Sequence, residues 1–267
     1  MNAKADIPVR KMNFEFEEDI PKAFINDDIA YSHFFDGLNL LFPEGERFFM
    51  RAVRDGLKRI KDPELAQQAR GFFGQETQHA IEHEKYFEIL DNKGYEFREE
   101  LSKFDNLILW MRKKFPVKAR LAMTAGTEHL TAILGTTTLT DPDMENTHPT
   151  MRRLMMWHAV EEIEHKSVAY DVYQEAYGGY FSRIAGYIFA LALVLSRARK
   201  FAIMFLMQDG YSKKEAKRLI KENEKSMLKK HPNLYKDLAI YFKPGFHPTQ
   251  IKDEHLVDDA KNFLGIA

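Results

Sequence analysis

Two stretches place side chains that resist burial on segments otherwise built for it. In WHAVEEIEHKSVAYDVY, residues 157–173, two histidines and three glutamates interrupt an apolar helical pattern, and in GQETQHAIEHEKY, residues 74–86, Glu76, His79 and His83 do the same. At helical spacing His158, Glu162 and His165 share a stripe with Leu154, Met155, Ala169 and Val172. Glu76, His79 and His83 share one with Ala69, Phe72, Ala80 and Phe87. Glu128 lies between Ala125 and Ala132 on a third stripe, and Glu46 precedes Phe49 and Val53 on a fourth. A buried, unpaired carboxylate is costly enough to take up a proton, and several together call for a cation.

Di-metal carboxylate bundles solve this problem: two helices each give one Glu, and two others each give Glu-x-x-His. Here Glu46 and Glu128 are the single donors, with Glu76-x-x-His79 and Glu162-x-x-His165 as the pairs. Four carboxylates balance two divalent ions, and neutral imidazoles add donors without charge. The competing reading is a solvated polar face with satisfied core histidines. A third Glu-x-x-His, Glu145 to His148, falls in the turn-rich loop TDPDMENTHPT and is set aside. Glu161 and Glu164 are rotated off the stripe, which suits surface positions or contacts to a ligand better than ligation. His83 is expected to orient a ligand, with ligation as the alternative, and His129 faces elsewhere. Tyr86, Tyr170 and Trp157 are expected to pack near the site.

The elements that must position these residues are helices. Asn26-Asp27-Asp28 caps a stretch that runs to Phe42, where Pro43 interrupts it. Asp62-Pro63 opens a long helix ending near Gly94, and a shorter one covers roughly 98–114. Pro116 starts a helix lasting to about Leu139, and Pro149 starts one that Gly178-Gly179 ends. An apolar helix follows at about 181–208, then a charged one at 212–228 and a short-helix tail. The expectation is an all-α, ferritin-like four-helix bundle. It forms a single domain over 1–267, with the metal-binding bundle at about 28–177 and accessory helices at about 181–264.

The net charge of -1 gives no reason to expect nucleic acid, and the absence of cysteine excludes disulfides, iron–sulfur clusters and thiolate zinc sites. The first residues lack the apolar run of a secretory signal, so a cytoplasmic location is expected. The run IAGYIFALALVL, residues 184–195, is shorter than the roughly 20 residues of a spanning helix. It reads as a buried helix, with membrane or partner contact as the alternative.

FPEGERFF, GQETQHAIEHEKY and WHAVEEIEHKSVAYDVY resemble bacterial proteins labelled predicted metal-dependent hydrolases, thought to be ferritin-like, over roughly residues 5–250. A more distant resemblance is to the di-iron para-aminobenzoate N-oxygenases, which carry a third His four residues before the last Glu. His158 stands in that position before Glu162. The resemblance implies Glu46, Glu76, His79, Glu128, His158, Glu162 and His165 as ligands. Glu128, Glu162 and His158 are the expected catalytic residues.

The leading expectation is an oxidase or oxygenase with two iron ions, manganese or zinc being the other candidates. Its substrate would be an apolar or aromatic small molecule, with dioxygen and an electron donor as partners and a homodimer as one assembly. The second reading is a metal-dependent hydrolase that activates water, and the third a non-catalytic metal-binding bundle.

Overall fold

The fold is given by a computed structural model that describes residues 7–266, so the expected domain of 1–267 extends at both ends beyond the described residues. Asp28 accepts hydrogen bonds from the amides of Ala30 and Tyr31 at 2.9 and 3.0 Å, and opens α1, Ile29–Asn39. Helix α2 spans Phe42–Leu57, with Pro43 in its first turn, where a missing N–H costs no helical hydrogen bond. The break therefore falls at Leu40–Leu41, before the proline. Asp62 caps α3, Pro63–Asn92, by accepting from Glu64 N at 2.8 Å. The rest are α4 (Arg98–Lys114), α5 (Val117–Thr140), α6 (Pro149–His165), α7 (Val168–Ala176), α8 (Tyr180–Gln208), α9 (Lys213–Lys230), α10 (Leu234–Ala239) and α11 (Glu254–Leu264). Among the described residues there is no strand; a single bridge pairs Ile25 with Thr147.

The architecture is an all-α bundle. α2 packs on α3, α3 on α6 and α7, these two on α5, and α5 back on α2, so the helices that carry the glutamates close a ring. The expected continuous helix from Pro149 to residue 177 is broken at Lys166–Ser167, directly after His165. At the break Lys166 leaves the bundle to pair with Asp253 and to donate to Ile251 O at 3.0 Å.

α8 crosses α5 and α1. A Cβ on Gly126 would lie 2.6 Å from the Tyr187 backbone, and one on Gly186 would lie 2.5 Å from that of Ala122, so these glycines permit the α5–α8 approach. The expectation that 184–195 is buried holds for one face only. Tyr187 and Ala190 are buried, whereas Ile188 and Phe189 are 52% and 43% exposed. Arg197 and Lys200 pair with Glu100, and Arg199 with Glu224. Among the described residues no helix is long and apolar enough to cross a membrane. α9 lies against α8 and α1, α10 against α5, and α11 against α6.

The non-helical segment from Ile7 is laid over α3 and α6. Pro8 O accepts from Gln75 Nε2 at 2.9 Å, and the amides of Asn13 and Phe14 each donate to Glu82 at 3.1 Å.

Candidate metal centre

The ring brings the seven sequence-selected side chains to one place inside the bundle. Glu46 comes from α2, Glu76 and His79 from α3, Glu128 from α5, and His158, Glu162 and His165 from α6; all are buried. Nε2 of His165 lies 3.1 Å from Glu76 Oε1, 3.2 Å from Glu128 Oε2 and 3.5 Å from Glu162 Oε2. At the other pole Nε2 of His158 is 2.8 Å from Glu162 Oε1, and Nδ1 of His79 is 3.7 Å from the same oxygen. Ligand atoms of Glu76, Glu128 and His165 lie within 4.8 Å of one another, as do those of His79, His158 and Glu162 and those of Glu46, Glu76 and His79. Glu162 and Glu76 thus face both poles.

Burial and mutual repulsion set the electrostatics. Burial, then the charges of Glu76, Glu162 and Glu128, pushes Glu46 well above the usual carboxylate range. Burial and then Glu128 push Glu76 up to about 8, and burial pushes Glu128 up to about 7. Burial also acts to raise Glu162, but His165 and His158 outweigh it and hold that carboxyl well below its ordinary value. Burial and then His158 hold His79 and His83 well below the usual imidazole range. Burial opposes the charged form of His165 too, but Glu162, Glu128 and Glu76 hold its pKa well above the ordinary value.

A set of oriented partners surrounds these groups. Gln75 Oε1 accepts from His165 Nδ1 at 2.9 Å. Glu161 Oε2 lies 3.0 Å from His79 Nε2, and its other oxygen accepts from Arg10 at 3.1 Å. His83 meets Asn39 Oδ1 through Nδ1 and His158 Nδ1 through Nε2. With Asn39 accepting, His83 Nε2 is the acceptor for His158 Nδ1–H, which leaves the lone pair of His158 Nε2 pointing at Glu162. His83 also lies within 4.8 Å of ligand atoms of Glu46 and His158. Glu161 is buried completely, and Glu164 is held by Arg10 at 2.7 and 2.9 Å. Gln75, Asn39 and Arg10 carry no spacing signal, and none of them stands out in the sequence.

Other sequence choices fall elsewhere. Glu145 is exposed in the tight turn Pro142–Asn146, and His148 joins no converging group. His129 faces the C-terminal tail, with Nε2 3.1 Å from Asp237 O. Trp157 packs edge-on to His79 at 4.8 Å between ring centres. Tyr86 points to Asp36 at 2.9 Å, and Tyr170 turns to Phe246 O and Arg183, away from the cluster.

The cluster fits metal ions. Both oxygens of Glu46, Glu76 and Glu128, one of Glu162, and Nε2 of His165 are buried with no hydrogen-bond partner, a state that native interiors rarely tolerate without an ion or water. An apolar cavity reaches His158 and Glu162, walled by Tyr31, Phe34, Phe35, Leu38 and Met155. The Phe42 ring stands 4.6 Å from that of His158 and 4.8 Å from that of His83. Among the described residues no Lys or Arg lines this cavity.

No curated protein and no solved structure matches the chain. A family model described as predicted metal-dependent hydrolase matches residues 8–252. With buried Glu and His clusters suited to metal ions, and that match over most of its length, the chain belongs to the family of predicted metal-dependent hydrolases.

Proposed function

We propose that the protein is a ferritin-like two-metal enzyme that oxidises an apolar small molecule with dioxygen. Glu76, Glu128 and His165 would hold one ion and Glu46, His79 and His158 the other, with Glu162 shared. Carboxylate and imidazole donors in this ratio suit iron or manganese, with zinc as the third candidate. When bound, two redox-active ions would supply the electrons for dioxygen chemistry, and an external donor would restore them.

The protein's own groups do the rest. Gln75 and His83 fix the ring tautomers, so that a lone pair of His165 and one of His158 face the cluster. Phe42 and Trp157 pack against the imidazoles and keep water away. Without metal, burial raises Glu128 to about 7 and Glu76 to about 8, so both can shed their protons near neutrality as ions bind. Glu162 and His158, at the cavity's inner end, are the groups a substrate would meet.

The observation that carries this reading is the cavity itself. It brings an apolar wall, with no Lys or Arg among the described residues that line it, up to two of the candidate ligands. Hydrolysis is the second reading, favoured by the family's description. A hydrolase using this cavity would be confined to uncharged esters or amides, because a phosphate would find no Lys or Arg there.

The deciding experiment begins with metal analysis of protein purified without added metal. Fe(II)- and Zn(II)-loaded samples are then compared for oxygen uptake and for ester and phosphoester cleavage. Oxygen uptake by the iron form alone is expected. Zinc-supported cleavage without uptake by the iron form would replace oxidation with hydrolysis.

A further inference from the structure

The cavity against His158 and Glu162 adjoins a second one, and Leu38, Phe42, Thr131 and Leu134 line both. From this waist the second cavity runs between α2, α4, α5 and α8, past Phe48, Ile108 and Met123 to Leu193 and Val194. Among the described residues no charged side chain lines it. Three of the four threonines that line the two cavities turn their hydroxyls into the helix, Thr138 being the fourth. Thr127 Oγ1 donates to Met123 O at 3.0 Å, Thr131 Oγ1 to Glu128 O at 3.2 Å and Thr137 Oγ1 to Ile133 O at 2.8 Å, so all three present methyl groups. The Tyr31 hydroxyl likewise donates to Asp141 at 2.9 Å. The result is a pair of adjoining apolar cavities, with His158 and Glu162 on the wall of the first.

We infer that the substrate carries an unbranched hydrocarbon chain, which passes the waist and fills both cavities with its reacting carbon at His158 and Glu162. This rests on the reading of the cluster as a centre that transforms a substrate. A wall of methyl, methylene and ring carbons offers nothing to recognise a polar group, so it selects by length and girth. Each methylene that leaves water for such a wall strengthens binding about fourfold. A fused ring that sits in the first cavity leaves the second cavity unused.

Straight-chain alkanols of increasing length test this by calorimetric titration, on protein as purified and on chelated protein, without turnover. Affinity should rise about fourfold per carbon and level off at a chain long enough to fill both cavities. Leu193→Trp and Val194→Phe fill the far end at half-buried positions, so that one variant serves if the other does not fold. Each should lower the length at which affinity levels off and leave the shortest alkanols binding as in the unaltered protein. Levelling at the same length in all three proteins would overturn the proposal, as would tighter binding of 2-naphthol than of decanol. Lost oxygen uptake with an intact length series would count against the redox reading alone. A flat series with intact uptake would count against the chain alone.

Discussion

Oε1 of Gln75 lies 2.9 Å from Nδ1 of His165, and this one contact decides which nitrogen of the ring faces the carboxylates. With Nδ1 donating to the amide oxygen, Nε2 is left at 3.1 to 3.5 Å from Glu76, Glu128 and Glu162. Gln75→Leu removes the acceptor and frees the ring to rotate. Metal affinity, read by competition with a chromophoric chelator, should fall about 10- to 100-fold with helix content unchanged. Unaltered affinity would show that the tautomer is set by other means.

Glu128→Ala should abolish binding at one pole, because its carboxylate shares that pole with Glu76 and His165. The melting temperature of the unaltered protein should differ between metal-loaded and chelated samples, since an ion that binds only the folded state stabilises it. In Glu128→Ala that difference should collapse. Retention of two ions per chain would remove Glu128 from the ligand set.

The Glu145–His148 pair provides the control. It has the same spacing as the two bundle pairs, yet Glu145 is exposed in a tight turn and His148 belongs to no converging group of three ligands among the described residues. His148→Ala should leave metal content unchanged by elemental analysis.

The pH dependence of the metal-free protein follows from its crowded carboxyls. Glu76 and Glu128 are raised from 4.5 to about 8 and about 7, so the folded state holds protons that the unfolded chain has released. A raised carboxyl favours folding most fully below the unfolded value of 4.5, and its contribution is lost as pH climbs through 7 and 8. Chelated protein should therefore melt at falling temperatures from about pH 5 to pH 8. Over the same range metal affinity should rise, because ions displace those protons. Stability of the chelated protein that increases toward pH 8 would contradict this electrostatic account.

How far the sequence reveals this centre depends on the reach of the contacts. Glu76 with His79, and Glu162 with His165, are legible because three residues make most of a helical turn, so the spacing is itself the geometry. Glu46 and Glu128 are legible as polar interruptions of apolar stripes. Arg10, 151 residues from its partner Glu161, obeys no period. Asn39, 44 residues from His83, is equally invisible before the fold brings them together. Glu161 is off the ligand stripe, as its rotation implies, but its complete burial depends on the N-terminal segment that covers it. The half-exposed face of α8 has the opposite cause: an uncharged run states what a helix tolerates, not which side a neighbour covers.

The N-terminal segment laid over α3 and α6 also sets an order in time. At roughly 5–20 residues per second on the ribosome, Arg10 is made about eight to thirty seconds before Glu161 and Glu164 exist to receive it. His165, a candidate ligand, follows Glu164 by a single residue. The segment's contacts to Gln75 and Glu82 can form earlier, but its Arg10 must wait for the same few residues that complete the cluster.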